Sequence, residues 1–357
     1  MKSPFTTQLL QWNSSQNRRN MPWKGEKDPY KIWLSEIILQ QTRVEQGMEY
    51  YNRFVQHFPT VKDLANAPEQ KVFKLWEGLG YYTRCKNLIA TAKIISNELN
   101  GIFPDNYEAI KSLKGIGPYT ASAIASFAFN LPYAVLDGNV FRILSRYFGL
   151  STAIDNGEGK KMYAQIAEAL LPVKTPGEYN QAIMDFGATI CKPKQPLCIS
   201  CVQNKDCEAY KYGWINDLPV KEKVLQKKTR WLTYFLVEVD EKIYIRQRTA
   251  SDIWQNLYEF IVRETNGPEY FTEDALRLVV KEMIAVKTFE IKFISDVIRQ
   301  QLTHQTLNAR FIIVKLKKPA TALRDFQLIE KTHLYQYAFP KLIVQFLEQN
   351  VIKQSLF

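Results

Sequence analysis

The stretch LKGIGPYTASAIASFAF, residues 113–129, decides how the first half of the chain folds. A short helical run meets a Gly-Ile-Gly turn, and a second helix opens at Pro118, whose missing N–H suits a first helical turn. Such a turn leaves backbone N–H groups free at a helix N-terminus, where a phosphate can settle. Gly115 and Gly117 let the backbone come close to that ligand. A lone Gly-x-Gly is also an ordinary helix–helix connection, so its weight depends on what surrounds it.

Eighteen residues after Tyr119 stands Asp137, in YAVLDGNVFRILSRYF. It precedes an amphipathic helix and reads as its N-cap. A helix N-terminus also helps to hold a carboxylate ionised, so the expectation is a charged Asp137. On the other side of the hairpin lies WLSEIILQQTR, residues 33–43, in which Glu36 is the only charge between Ile32 and Thr42. A helix apolar nearly all round is buried, and a buried carboxylate is costly unless paired or neutral. Taken alone, Glu36 reads as a structural acid paired with an arginine or lysine. Beside Asp137 it reads as an acid with a raised pKa that keeps its proton near neutrality. A protonated acid and an anion suit cleavage of a glycosidic bond, the acid serving the leaving group and the anion facing an oxocarbenium-like centre.

Cys191, Cys198, Cys201 and Cys207 fall within CKPKQPLCISCVQNKDC, leaving one of the five cysteines, Cys85, elsewhere. Disulfides suit a cytosolic chain of this size poorly. Four clustered thiols point to a metal site, structural zinc or a [4Fe–4S] cluster, and the spacing leaves that choice open. Cys85, between Arg84 and Lys86 in a helical run, reads as a small buried filler.

With 357 residues and a net charge of +11, the chain is long enough for two domains and favours a polyanionic partner. Residues 211–231 alone hold six basic and two acidic side chains. No apolar run is long enough to span a membrane, and the N-terminus lacks a signal peptide's apolar core, so the expected location is the cytoplasm. Nothing calls for more than a monomer. Helical patterns recur near 5–17, 30–43, 68–78, 82–99, 118–130, 139–148, 158–171 and 178–190. After the basic stretch the texture changes. WLTYFLVEV and KIYIRQR form a β-hairpin pattern, TEDALRLVVKEM is a helix capped by Thr272, FEIKFISDV and ARFIIVKLK are strand-like, and a last helix follows Pro340. The expected architecture is an all-α domain over residues 1–212, a basic linker over 213–228 and a smaller α+β domain over 229–357.

The hairpin LKGIGPYT, the aspartate of VLDGNV and the cysteine loop together resemble the helix-hairpin-helix DNA glycosylases of the endonuclease III superfamily. MPWKGEKDPYKIWLSEIILQQTRVE and LWEGLGYYTRCKNL are similar to its adenine-removing branch. The resemblance spans residues 21–207 and implies a [4Fe–4S] cluster held by the four cysteines. It also implies double-stranded DNA containing adenine opposite 8-oxoguanine or guanine as the substrate. By motif, Glu36 would protonate the adenine, Asp137 would stabilise the sugar cation, and Tyr119 and Asn139 would support them. Gln41 and Tyr81 would wedge into the duplex. Tyr119 stands where endonuclease III has a Schiff-base lysine, which implies hydrolysis without strand cleavage. In the second half, IWQNLYEF and QQLTHQTLNARF resemble a Nudix-like lesion-recognition module, with Thr303 and His304 in its lesion-contacting loop. No glutamate-rich Nudix catalytic box is present. Lys24 stands where this branch commonly has arginine in the base pocket, and Leu302 where it often has an aromatic residue.

Overall fold

The helix that carries Glu36 begins at a signal visible in the chain. Asp28 accepts a hydrogen bond from the Tyr30 N–H, and Pro29 takes the first helical position. The helix stops at Leu39, short of the expected residue 43, because Gln41 adopts a φ of +57°, a left-handed backbone that cannot continue an α-helix.

The computed structural model describes residues 3–223 and 227–350. Its helices run α1 Pro4–Ser15, α2 Pro29–Leu39, α3 Val44–His57, α4 Val61–Asn66, α5 Glu69–Trp76, α6 Tyr82–Asn97, α7 Tyr107–Ser112, α8 Pro118–Phe129, α9 Gly138–Phe148, α10 Gly157–Leu170, α11 Pro176–Thr189 and α12 Glu208–Lys211. There follow β1 Lys228–Val239, β2 Lys242–Gln247, β3 Tyr258–Glu259, β4 Ile261–Thr265, α13 Glu273–Ile284, β5 Glu290–Ile294, β6 Ile298–Gln301, β7 Gln305–Leu316, β8 Gln327–Glu330 and α14 Lys341–Asn350. The chain divides into two compact units. One comprises Met1–Asn66 with Asn87–Val224, the other Ala67–Lys86 with Leu225–Phe357. Residues 224–226 of the expected linker lie outside the described residues. No helix among the described residues is long and apolar enough to cross a membrane.

In the helical unit α2 is buried on almost every side, with Tyr30, Ile32, Trp33, Leu34, Ile37 and Ile38 all shielded from water. It packs on α8, whose Thr120–Ser126 stretch is entirely buried and built of small residues around Ile124. Phe5, Leu9 and Trp12 of α1 meet Tyr179, Ile183 and Phe186 of α11 in the neighbouring core, with Ile143 and Leu144 of α9. Asn180, fully buried on α11, donates to the Ser126 hydroxyl and the Tyr133 carbonyl, both at 2.9 Å, and accepts from the Val135 N–H at 3.2 Å. It thereby pins the extended segment that leads into Asp137.

The second unit is built on a mixed sheet. β1 pairs with β7 in parallel along its whole length and with β2 and β4 antiparallel. The order is β3-β2-β1-β7-β5, with β4, β6 and β8 branching from β1, β7 and β2. One face buries Phe235, Val237, Ile312 and Val314 beneath Leu276, Val280 and Ile284 of α13. On the other, Tyr234 stacks on Phe311 and Phe311 on Phe346 of α14, at 5.2 and 4.1 Å between ring centres. Thr272 caps α13 through the Ala275 N–H, as the sequence indicates.

Replacing Asn180 by alanine removes three buried hydrogen bonds at once. The expected loss is about 2–3 kcal/mol of unfolding free energy, measured by chemical denaturation. A change under about 0.5 kcal/mol would show that the segment before Asp137 is held by other means.

Candidate active site

Glu36 is 5% exposed, on the face of α2 turned toward α8. Its Oε2 accepts a hydrogen bond of 2.7 Å from the Tyr119 hydroxyl, and among the described residues no cation pairs with it. The reading of Glu36 as one half of a structural ion pair therefore fails. Burial pushes its pKa up to about 7; the Tyr119 hydroxyl works against that rise and the nearby Asp137 carboxylate adds to it. Burial likewise raises the Tyr119 phenol well above its usual range, so it is a hydrogen-bond donor throughout the working pH range.

Asp137 caps α9, accepting from the Val140 N–H at 2.8 Å with one oxygen and from the Asn139 amide at 2.8 Å with the other. Asn139 is itself held by Arg142, whose guanidinium donates to its carbonyl oxygen at 2.8 Å and to the Gly187 carbonyl at 2.8 Å. Only glycine fits at position 187, since a Cβ there would lie 2.6 Å from the Asn139 Cβ. The first turn of α9 thus holds Asp137 where the sequence expects a cap. Burial raises its pKa above the ordinary value, and the Val140 N–H, Asn139 and Arg142 reduce that rise without cancelling it. The contrast between the two acids lies in their partners. Several donors resist the rise at Asp137, and one hydroxyl resists it at Glu36.

Glu36, Tyr119, Asp137 and Asn139 line one cavity of about 600 Å³ in the helical unit, together with Lys24 and Gln41. Arg19 and Gln181 also line it, and the sequence reading passed over both. Behind them sits Asp185, whose side chain has no exposure. It accepts from Arg19 at 2.9 Å, Lys24 at 3.0 Å, Asn17 at 2.9 Å and Gln181 at 3.0 Å. The signal was available. Asp185 is the lone charge in the apolar run of NQAIMDFGATI, the same pattern that drew notice to Glu36.

Gly115, with a φ of +79°, and Gly117 form the exposed turn between α7 and α8. A Cβ on Gly115 would lie 2.7 Å from the Asn87 Cβ. The four cysteines line a separate small cavity with Arg146. Arg146 donates to the Lys192 carbonyl at 2.8 Å and lies 3.5 Å from the Cys191 sulfur, while Arg142 donates to the Cys191 carbonyl at 2.8 Å. Among the described residues no group of three or more His, Cys, Asp or Glu gathers as it would around a single metal ion. Four thiols facing one cavity, with a guanidinium beside them, are a donor set of the kind an iron–sulfur cluster takes.

Tyr81, Thr303 and His304 belong to the second unit. Tyr81 has a φ of +50° and is 41% exposed, and its hydroxyl lies 2.6 Å from the Thr303 hydroxyl. Thr303 and His304 are exposed in the turn that joins β6 to β7. Cys85 is fully buried, as a filler should be.

Residues 34–172 match the HhH-GPD superfamily of base excision DNA repair proteins, and residues 233–349 match the NUDIX domain. A thermostable thymine-DNA glycosylase superimposes on 58% of this chain and 95% of its own with a TM-score of 0.54 and 31% identity. Endonuclease III trapped as a covalent DNA intermediate covers 58% of this chain and 93% of its own, with a TM-score of 0.51 and 18% identity, a likeness of fold alone. Fold and site thus define a helix-hairpin-helix base excision repair glycosylase, an enzyme that hydrolyses N-glycosidic bonds. The adenine DNA glycosylase of Buchnera aphidicola subsp. Baizongia pistaciae is 35% identical over 87% of this chain and 86% of its own length. That of Mus musculus is 38% identical over 60% of this chain and 44% of its own. The chain belongs to the adenine DNA glycosylase family.

The raised pKa of Glu36 has a consequence for stability. A carboxyl whose folded pKa, about 7, exceeds its ordinary value of 4.5 favours the folded state fully below 4.5, and that contribution is lost as pH rises through 7. Glu36→Gln should therefore gain stability relative to the parent between pH 4.5 and 7 and hold a constant advantage above, on the order of 1–3 kcal/mol. Unfolding curves of both proteins at pH 5 and pH 8 test this; an equal difference at the two values would place the Glu36 pKa elsewhere.

Proposed function

We propose that the protein removes adenine paired with 8-oxoguanine or guanine in double-stranded DNA, by hydrolysis and without cutting the strand. The observation that supports this most is Glu36, a buried carboxyl with one hydroxyl partner, facing the same cavity as Asp137. A pKa near 7 lets Glu36 carry a proton at neutral pH and give it to a ring nitrogen of an extruded base. The electrons of the glycosidic bond leave with the protonated base. Asp137 supplies negative charge to the resulting sugar cation, with Asn139 holding its orientation and Tyr119 holding that of Glu36. Water then adds to the sugar carbon and loses a proton, which the Glu36 carboxylate takes up to restore the acid.

Other residues take supporting roles. Gly115 and Gly117 offer backbone N–H groups to a phosphate. Gln41 and Tyr81, each exposed with a left-handed backbone, would each enter the base stack. Thr303 and His304 offer polar groups to the base opposite adenine. Cys191, Cys198, Cys201 and Cys207 would hold a [4Fe–4S] cluster, which supplies a structural and electrostatic centre beside α9. Hydrolysis without a Schiff base fits the amines that line the cavity. Lys24 is ion-paired with Asp185, and Lys27 donates to the Phe127 carbonyl at 2.9 Å. We place the protein in the cytoplasm, at the DNA, as a monomer.

The deciding experiment measures base release from duplexes carrying adenine opposite 8-oxoguanine, with and without alkali. Adenine release with strand scission only after alkali is expected, and Glu36→Gln should slow release about 10²–10⁴-fold while duplex binding persists. Scission without alkali would make Lys24 or Lys27 a nucleophile and overturn the hydrolytic reading. Release of thymine from mispairs in place of adenine would overturn the substrate.

A further inference from the structure

We infer that the β-rich unit holds a binding site for a free purine base, an inference independent of the reaction proposed above. The sheet face that α13 covers carries Phe235 and Val237 on β1 and Ile312 and Val314 on β7. Side chains alternate along a strand, so Trp231 and Thr233 share that face of β1, and Asn308 and Arg310 that of β7. The parallel register sets Trp231 beside Asn308 and Thr233 beside Arg310. The face thus changes from apolar to polar toward the start of both strands, although Thr233 and Asn308 are only 7% and 8% exposed. Together with Glu269 and Tyr270, from the loop between β4 and α13, these four side chains line a cavity of about 140 Å³.

Two of the lining residues carry polar atoms that the protein leaves unused. Glu269 accepts from the Arg263 Nε at 3.1 Å through Oε1, and its Oε2 is buried with no partner among the described residues. Arg310 donates from Nη1 to the Glu269 carbonyl at 3.3 Å, and its Nε is likewise buried without a partner among the described residues. An acceptor and a donor are therefore held at one residue without bonding to each other. Each costs stability until something bonds to it. A molecule that serves both offers a donor and an acceptor side by side, as the edge of a purine does. The amino group of adenine gives a proton to Glu269, its ring N1 takes one from Arg310, and Trp231 supplies an aromatic wall for the ring system. The volume sets the size. It equals roughly four or five waters at about 30 Å³ each, the room a bare base needs, and lies well under the ~300–1,000 Å³ that encloses a drug-sized ligand. The sugar and phosphates of a nucleotide do not fit inside.

The test titrates 9-methyladenine into the full chain by calorimetry, beside 9-methylpurine, which lacks the amino donor. Saturable binding of 9-methyladenine is expected, with 9-methylpurine weaker on the order of 10- to 100-fold. Two variants assign the binding to this cavity. Glu269→Gln keeps an oxygen for Arg263 and turns its NH₂ toward the amino group of the ligand, donor against donor; its shape is that of the parent, which guards against misfolding. Thr233→Leu fills the cavity from β1 and leaves Glu269 and Arg310 in place. Each should weaken 9-methyladenine binding on the order of 10-fold or more. No binding by the parent, or equal binding of the two purines, would mean that water alone satisfies these atoms and overturns the inference. Undiminished binding by either folded variant places the ligand elsewhere and overturns it too. Tighter binding of adenosine monophosphate than of 9-methyladenine would overturn the assignment to a free base.

Discussion

A carboxyl group shut away from water with one hydroxyl as its partner constrains the whole helical unit. Removing such a group from water costs several kcal/mol if it ionises and less if it stays protonated. The fold does not relieve this with a cation. It surrounds Glu36 with apolar side chains on α2 whose burial contributes about 1.5–3 kcal/mol each, so a few of Trp33, Leu34, Ile37 and Ile38 offset the cost. The result is a carboxyl whose pKa burial pushes up to about 7. Small residues on α8 bring Tyr119 close enough to Glu36 to donate at 2.7 Å.

The opposing acid depends on a different device. Asp137 keeps its place because the first turn of α9 needs a cap and because Asn139 is pinned by Arg142. Arg142 also grips the Cys191 carbonyl, and Arg146, one turn further along, grips the Lys192 carbonyl and the Leu218 carbonyl. One amphipathic helix thus carries the aspartate at its start and anchors the cysteine loop along its length. Arg142 is the link between the two, since its planar guanidinium donates both to the Cys191 carbonyl and to the Asn139 that holds Asp137.

Much of this was legible in the chain, and for physical reasons. Pro, Gly and capping residues marked α2, α8, α9 and α13 because backbone geometry admits few alternatives there. The β1–β2 hairpin followed from alternation around Asp240–Glu241. What escaped were features set by partners distant in sequence. The helix α3 was missed although its apolar positions have helical spacing, since it lies between stronger signals. The parallel pairing of β1 with β7 spans some 75 residues and leaves no local trace. The grouping of residues 67–86 with the β-rich unit is likewise a matter of packing. Within the cavity, Glu36, Tyr119 and Asp137 could be singled out because their motifs are compact. Asp185 left a signal that was passed over, while Arg19 and Gln181 left none, because α1, the loop after it and α11 come together only in three dimensions.

Two lone acids in apolar helices ended in opposite circumstances. Glu36 has one donor, the Tyr119 hydroxyl. Asp185 has four, one each from Asn17, Arg19, Lys24 and Gln181. Sequence alone presents the two as the same pattern, a single carboxylate in a buried run. The distinction comes from counting the donors each one meets. This fold sets the one on α2, with a single hydroxyl, and the other on α11, among four side chains.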